Sequence, residues 1–376
     1  MNKSTNSSSD DKLTPENEAD TGSNSVQDII LDNLQNYRSA LFVDSILTIC
    51  LSHQIKENHN GITVDLVMPF PCIGELSILA ETLSENLKCK VIINVELAIT
   101  PIRKHELNNI SNIIAIASGK GGVGKSTTAV NLAYALMAEG ASVGILDADI
   151  YGPSIPTLLG LKGIKPTSND GKLLTPLNAQ GLHAMSIGFL VAENDATVWR
   201  GPMASSAFNQ LLNETAWPKL DYLIVDMPPG TGDIQLTLAQ KVPVAGAVII
   251  TTPQDLALAD AIKGIAMFEK VKVPVLGVIE NMSYHLCENC GHQSALFGQG
   301  GGEDIATQYN TRLLGELPLD IVIRQDADLG QSCLIENSTS DLAQVYRRIA
   351  RKLGAELYNK LDARSPQTAE IAIKVL

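Results

Sequence analysis

The chain has 376 residues, a length at which two or three domains are usual and a sizeable core can be buried. Hydrophobic residues make up 45% of it and charged residues 18%, which is typical of a folded globular protein and excludes a largely disordered one. Because 28 Lys and Arg residues are outnumbered by 41 Asp and Glu residues, the net charge of −13 disfavours nucleic acid and anionic membrane surfaces as partners.

No run of about 18 consecutive apolar residues occurs, so the sequence predicts no membrane-spanning helix. The N-terminal stretch has no apolar segment followed by small residues, and it therefore does not resemble a secretory signal. We expect a cytoplasmic protein, whose six cysteines stay reduced or bind metal in that compartment.

The N-terminal third is predicted to contain a tail, a small domain and a linker. Residues 1–25 are almost entirely polar and are predicted to be a disordered tail. Residues 26–103 are predicted to form a small α/β domain with a helix over 29–41, a strand over 62–68, a helix over 75–87 and a strand over 91–99. The polar residues 104–112 are predicted to be a linker.

The remaining residues, 113–376, are predicted to form one larger α/β domain. Short β-branched runs at 113–118, 142–146, 222–226, 246–252 and 275–281 alternate with helical patterns. Apolar strands of this kind suit a mostly parallel sheet that helices cover on both faces. In the helix predicted over 126–139, Ala129, Leu132, Ala133, Leu136 and Met137 form one core-facing stripe.

A phosphate-binding loop lies between the first of these strands and this helix. Residues 119–126 match G-x-x-x-x-G-K-[ST], whose glycines let backbone N–H groups surround phosphate oxygens. Lys125 can reach the β- and γ-phosphates, and the Ser126 hydroxyl can ligate magnesium. The domain is therefore predicted to be a P-loop NTPase. Its predicted nucleotide-binding residues here are Gly119, Lys120, Gly121, Gly122, Val123, Gly124, Lys125, Ser126 and Thr127.

Two strands end in acidic residues. Asp147 and Asp149 follow the strand over 142–146, and Asp226 ends the strand over 222–226. Because the carboxyl ends of parallel strands converge on one crevice, these carboxylates are expected beside the phosphates. Asp226 suits a magnesium ligand acting through water, and Asp149 suits a catalytic residue that orients or deprotonates the attacking water.

Lys120 resembles the signature lysine of the deviant Walker A family, which includes MinD and the nitrogenase iron protein. In that family this lysine crosses a dimer interface to the partner's nucleotide, which implies a catalytic role for Lys120. Asn281 and Pro318 are placed like the residues that contact adenine in MinD-like proteins, which implies ATP. Residues 359–362 spell the guanine-reading motif N-K-x-D, but they follow a helical pattern and not a strand, so we interpret the match as coincidental.

Cys287 and Cys290 form a C-x-x-C followed by Gly-His. Their spacing leaves three interpretations open. A thioredoxin-type redox pair is disfavoured by the surrounding P-loop sheet. A zinc site could add His285 and His292 from the same chain. Alternatively, two chains of a symmetric dimer could each supply both thiolates to one four-thiolate metal site.

Six blocks resemble the Mrp/ApbC family of iron–sulfur cluster carriers over about residues 113–350. They lie at 118–127, 147–154, 199–203, 226–233, 251–255 and 280–283, in the family's order. The resemblance implies slow ATP hydrolysis with Mg²⁺, coupled to carrying a [4Fe–4S] cluster that Cys287 and Cys290 bind between the subunits of a homodimer. An iron–sulfur scaffold and recipient apoproteins are the implied partners, with no nucleic acid and no membrane.

The N-terminal unit is similar to the small α/β domain of iron–sulfur assembly factors. Cys72 lies near that domain's characteristic cysteine, although its MPFPC surroundings depart from the usual motif, so we predict a structural thiol. The alternative function is a MinD-like, ATP-dependent regulatory dimer with a structural zinc site. It leaves the cysteine pair unexplained, and the segment after Arg351 is only sparsely basic, unlike a membrane-binding amphipathic helix.

Overall fold

The computed structural model describes residues 25–59, 61–168, 171–191 and 201–362. Residues 1–24 of the tail predicted at 1–25, the segment after residue 362, and Trp199 and Arg200 of one family block lie outside the described residues. The described residues form two sheets, and two separate clusters of buried apolar side chains accompany them. No helix in these ranges has both the length and the apolar character needed to cross a membrane.

The smaller sheet has three strands and is covered by helices. In chain order the elements are α1 (Val26–Asn36), α2 (Ile46–Ile49), β1 (Ser52–Asn58), β2 (Gly61–Met68), α3 (Ile73–Leu87) and β3 (Val91–Leu97). Strand β2 lies in the centre, antiparallel to β1 and parallel to β3. Helix α1 ends five residues before Leu41, its predicted end, because the backbone of Tyr37 is extended. The Tyr37 N–H donates a hydrogen bond to the Asn33 carbonyl and so caps the helix.

The larger sheet has nine strands. They are β4 (Ile110–Ser118), β5 (Val143–Asp147), β6 (Leu177–Ala179), β7 (Leu182–Ser186), β8 (Leu220–Asp226), β9 (Gly246–Thr251), β10 (Val275–Leu286), β11 (Gln293–Ser294) and β12 (Leu313–Pro318). The accompanying helices are α4 (Lys125–Ala138), α5 (Ile155–Leu158), α6 (Gly201–Asn213), α7 (Asp233–Lys241), α8 (Asp255–Lys270), α9 (Gly301–Gln308), α10 (Ile321–Leu329), α11 (Cys333–Glu336) and α12 (Asp341–Asp362).

The strand order is β11-β10-β9-β4-β8-β5-β7-β6, and β12 pairs with the other edge of β10. Among the described strands of this larger sheet, only β6 and β11 pair antiparallel with their neighbours. Every residue of β5 and β9 is buried, as expected of strands that helices cover on both faces. The predicted α/β class with a mostly parallel sheet is confirmed.

The predicted linker over 104–112 is wrong at its C-terminal end, because β4 already begins at Ile110. Asn112 lies inside this strand with a buried side chain. Its amide accepts a hydrogen bond from the Ile102 N–H at 2.9 Å and donates one to the Thr100 carbonyl at 3.1 Å. A polar residue that is hydrogen-bonded in this way can be buried without penalty, so its polarity did not mark a linker.

Helix α4 is buried on almost every side, and not only on the predicted stripe. Asn131, Tyr134 and Ala135 lie outside the stripe and are also buried, because α11 and α12 pack on the helix. Glu139, which follows α4, is fully buried as well. Its carboxylate accepts hydrogen bonds from the Gly74 N–H of α3 (2.7 Å) and from Arg347 Nε (2.7 Å) and Arg351 Nη1 (2.8 Å) of α12. The carboxylate of Glu139, at the end of α4, thus joins α3 of the smaller unit to α12 of the larger one.

Candidate functional site

The predicted phosphate loop lies between β4 and α4 and has the backbone conformation that its glycines permit. Gly122 and Gly124 have φ angles of +83° and +80°, which side-chain-bearing residues rarely adopt. A Cβ atom on Gly121 or Gly122 would have no described atom within 4 Å, so the inner surface of the loop is open. A Cβ atom on Gly119 would collide with the backbone of Asp260 in α8. The loop therefore combines a close helix contact on one side with an accessible concave side.

Lys125 begins α4, and its side chain is buried. Its Nζ atom donates hydrogen bonds to the Asp226 carboxylate and, at 3.1 Å, to Ser126 Oγ. The ammonium is thus held between the loop and the end of β8. An ammonium in this place can neutralise phosphate oxygens that the loop binds.

The predicted acidic residues converge as expected. Asp147 and Asp226 are register partners at the ends of the adjacent strands β5 and β8. Both are fully buried, whereas Asp149 is partly exposed. Burial, followed by repulsion from Asp226, raises the pKa of Asp147 to about 8. Burial also raises the pKa of Asp149. Three carboxylates therefore surround the single ammonium of Lys125.

Asp147, to which the sequence assigned no role, holds this arrangement in place. Its carboxylate accepts hydrogen bonds from the Asp149 N–H and from Ser186 Oγ, both at 3.0 Å. The Ile155 N–H at the start of α5 is 3.3 Å away. Asp147 thus fixes the turn that presents Asp149. The sequence could not indicate this role, because the bond that marks it comes from Ser186 on β7, 39 residues further along the chain.

The residues predicted for magnesium have suitable atoms. Asp226 Oδ2 is buried and has no hydrogen-bond partner among the described residues. Magnesium prefers oxygen ligands, and one carboxylate together with a Ser hydroxyl is a usual protein contribution. The Asp226 carboxylate and the Ser126 hydroxyl, both hydrogen-bonded to Lys125, therefore fit this ion.

Lys120 lies in the loop with a partly exposed side chain. Its carbonyl accepts a hydrogen bond from Ser118 Oγ at 2.9 Å, which fixes the backbone at this point. Its ammonium forms no hydrogen bond or ion pair with any residue in the described ranges.

Strand β10 brings Asn281 to the loop. Its buried side chain donates from Nδ2 to the Val123 carbonyl at 2.9 Å. The preceding residue, Glu280, is fully buried and accepts the Gly302 N–H of α9 at 2.6 Å. Pro318, the other predicted adenine contact, ends β12 and pairs with Tyr284 of β10. The structure thus places Asn281 at the loop and Pro318 on the neighbouring strand.

The cysteine pair occupies the tip of a hairpin that continues β10. Leu286 of β10 and Gln293 of β11 are the last register partners before the turn. Within the turn, the Cys287 N–H donates a hydrogen bond to the His292 carbonyl (3.0 Å), and the Gly291 N–H donates one to the Cys287 carbonyl (2.8 Å). Cys287 is partly exposed and Cys290 is exposed, and neither forms a disulfide. The two thiols are therefore accessible at the end of a short, hydrogen-bonded turn.

The turn also favours the thiolate form of Cys287. Backbone N–H groups of Asn289 and then Cys290 donate toward its sulfur, which lowers its pKa. Of the two histidines in the zinc alternative, His285 has Nδ1 3.2 Å from the Leu319 carbonyl and His292 is exposed. Within the described ranges, no group of three or more His, Cys, Asp and Glu side chains is placed to hold a metal ion.

Two other sequence features lie away from the loop and the hairpin. Cys72 is fully buried at the start of α3, and burial raises its pKa strongly, as expected of a structural thiol. Asn359, from the motif that resembles a guanine reader, lies near the end of α12. It lines a cavity of about 150 Å³ together with Ala40 and Leu41.

The comparisons with known proteins agree with these features. The family model for the NUBPL iron-transfer P-loop NTPase, of ParA type, matches residues 109–354. The chain is 50% identical over 341 residues to the iron-sulfur cluster carrier protein of Escherichia coli K12, covering 88% of this chain and 92% of that protein. It is 48% identical over 253 residues to the iron-sulfur cluster transfer protein NUBPL of Mus musculus, covering 67% of this chain and 79% of that one.

Among solved structures, the nucleotide-binding protein of Archaeoglobus fulgidus in complex with ADP is similar. Its TM-score is 0.56 at 41% identity, over 64% of this chain and 93% of that chain. The predicted P-loop fold is thereby confirmed for the larger unit. The family match, which covers more than half of the chain, also confirms the resemblance to iron–sulfur carriers. The chain belongs to the NUBPL family of iron-transfer P-loop NTPases.

Proposed function

We propose that this protein is an ATP-dependent iron–sulfur cluster carrier that acts as a homodimer. The observation that carries the proposal is the course of β10. This one strand supplies Asn281, whose amide bonds to the phosphate loop, and it ends at the hairpin that presents Cys287 and Cys290. The names of the relatives, iron-sulfur carrier and transfer proteins, support the same function. The MinD-like regulatory switch with a structural zinc site is not favoured, because neither relative is named as a regulator.

ATP is the proposed nucleotide, and its hydrolysis is proposed to be slow. The ADP in the similar archaeal protein supports an adenine base. The loop N–H groups and Lys125 bind the phosphates, and magnesium held by Ser126 and Asp226 would supply charge neutralisation there. Asp149 orients or deprotonates the attacking water. Burial raises its pKa, and a higher pKa makes its carboxylate a better base.

Lys120 is proposed to act on the nucleotide of the partner subunit. Its ammonium is not engaged by any residue in the described part of the chain, and the loop fixes its backbone through Ser118. A cation that reaches the phosphates only in the closed dimer would couple hydrolysis to dimer formation.

The cargo is proposed to be a [4Fe–4S] cluster held by four thiolates, two from each subunit. Such a cluster needs four protein ligands, and each hairpin offers two accessible sulfurs. Transfer to a recipient apoprotein exchanges thiolate ligands one for one, so the cluster needs no change of oxidation state. An iron–sulfur scaffold is the proposed donor. The cytoplasm is the proposed location, because its reducing conditions keep Cys287 and Cys290 from forming a disulfide.

Reconstitution without oxygen tests this proposal. Wild-type protein treated with iron and sulfide should hold about two irons per chain and sediment as a dimer. Cys287→Ala and Cys290→Ala should each lose the cluster, because one thiolate per chain leaves two of four ligands. Both variants should still bind ATP. One tightly bound zinc per monomer, released when His285 or His292 is replaced, would contradict the proposal.

Asn281→Ala tests the proposed adenine contact. Loss of its hydrogen bond to the Val123 carbonyl should weaken ATP binding about two- to ten-fold, the usual net effect of one such bond. If Asn281 also contacts adenine, GTP binding should weaken less than ATP binding. Titration calorimetry with both nucleotides measures this difference. An equal loss for ATP and GTP would show that Asn281 only supports the loop.

A further inference from the structure

The loop over 227–232 joins Asp226, at the end of β8, to the start of α7. Its outer part is weakly packed. Pro229 and Gly232 are exposed, and a Cβ atom on Gly230 or Gly232 would have no described atom within 4 Å. The position of this loop therefore depends on its hydrogen bonds more than on its packing.

Gln235, in the first turn of α7, supplies one of these hydrogen bonds. Its side chain is only 2% exposed, and its Nε2 donates to the carbonyl of Pro228, two residues after Asp226. Its Oε1 is also buried and has no partner among the described residues. An apolar side chain of the same shape would fill this space without the cost of an unsatisfied acceptor. The amide therefore serves the loop, and not the stability of α7.

Ser118 joins the same loop to the phosphate loop. Its carbonyl accepts the Gly230 N–H at 3.0 Å, and its Oγ donates to the Lys120 carbonyl at 2.9 Å. Ser118 is buried and is the last residue of β4. One residue thus connects the loop after Asp226 to the backbone of Lys120.

We propose that Gln235 and Ser118 are positioning residues for ATP hydrolysis, which together hold the loop after Asp226 against the phosphate loop. The inference rests on the proposed ATP hydrolysis and is independent of the cluster. Both side chains act through backbone carbonyls. Hydrolysis requires Asp226 and Lys120 to be placed correctly at the same time. Loss of either bond lowers the fraction of molecules with that placement, and kcat falls with it.

Gln235→Met is the first test, because methionine has a similar volume and no amide. Its kcat should fall about five- to a hundred-fold, the effect expected when a buried carbonyl loses its donor. The KM for ATP and the calorimetric dissociation constant should change less than about two-fold, since the phosphate loop supplies that affinity. Gln240→Met is the matched control, because Gln240 lies in the same helix and is exposed. It should hydrolyse ATP as wild type does.

Gln235→Glu adds a pH signature. A protonated Glu can donate to the Pro228 carbonyl, whereas an ionised Glu cannot. Burial raises the pKa of a carboxyl, so protonation should occur as the pH is lowered from about 8 to about 6. The kcat of this variant relative to that of wild type should therefore rise over this range. A ratio that does not change with pH would contradict the role of Gln235 as a donor.

Ser118→Ala tests whether the two residues act on one loop. Its kcat should fall about two- to ten-fold with ATP affinity retained, the usual effect of one lost hydrogen bond. In the double variant with Gln235→Met, the two losses should combine to less than their product, because the second change acts on a loop that is already released. Fully multiplicative losses would show two independent roles and overturn the joint one.

Hydrogen exchange supplies a readout that does not depend on hydrolysis. A non-hydrolysable ATP analogue should slow exchange at residues 227–234 of wild type. Gln235→Met should lose most of this protection while residues 119–127 keep theirs. Unchanged kcat and protection in Gln235→Met overturn the proposal, and so does loss of ATP binding, which would make Gln235 a structural residue. Wild-type protein that binds ATP without hydrolysing it overturns the proposed function, and the exchange result then decides whether Gln235 holds the loop.

Discussion

Lys125→Ala should weaken ATP binding by at least about a hundred-fold, since charge-assisted bonds to the β- and γ-phosphates are lost together. The structure adds a second expectation. Lys125 is the buried partner of Asp226, so its removal leaves that carboxylate buried and unpaired beside Asp147. Breaking a buried pair on one side typically costs about 3–5 kcal/mol of folding free energy. Calorimetric ATP titration and chemical denaturation measure the two effects.

A double variant separates these effects. Adding Asp226→Asn to Lys125→Ala removes the unpaired charge, so stability should largely return while ATP binding stays lost. Lys120→Ala is the control for a loop lysine outside this buried pair, and it should retain ATP binding but hydrolyse more slowly. Unchanged ATP affinity in Lys125→Ala would contradict the assignment of the loop.

Glu139→Ala should lower the unfolding free energy of the full chain by about 3–5 kcal/mol. The carboxylate is fully buried and is the shared acceptor of Arg347, Arg351 and the Gly74 N–H. Without it, the guanidinium of Arg351, which is also buried, loses its counter-charge. Urea denaturation, followed by circular dichroism, measures the change.

Asp328→Ala is the matched control for Glu139→Ala. Asp328 pairs with Arg324 within α10, and both side chains are more than 60% exposed. Loss of such a surface pair should change stability by less than about 1 kcal/mol. A similarly small effect of Glu139→Ala would mean that the buried carboxylate does not hold the two units together.

Local sequence patterns were sufficient to predict the phosphate loop, because its strand, glycines, lysine and helix are consecutive in the chain. Long-range partners were not predictable in this way. Glu139 ends a helical pattern where an exposed acid is typical, and its arginine partners lie 208 and 212 residues later. Asn281 was predicted from its position after a strand, but its bond to the Val123 carbonyl spans 158 residues and could not be predicted.

Edge elements were also missed, for a different physical reason. Strand β1 is polar, and all of its residues except Ile55 are exposed, so it lacks the apolar alternation that marks a half-buried strand. It is held by its backbone pairing with β2, which leaves no mark on side-chain composition. The cysteine pair was visible as a motif, whereas its exposure and the lowered pKa of Cys287 depend on the turn that the hairpin imposes.

The shared acceptor Glu139 also constrains the order in which the molecule assembles during synthesis. Arg347 leaves the ribosome 208 residues after Glu139, which at about 5–20 residues per second is a delay of roughly 10–40 s. Through this interval the carboxylate has neither arginine beside it, and the helix that covers α4 does not yet exist. The smaller unit therefore gains this link to the larger one only when α12 emerges.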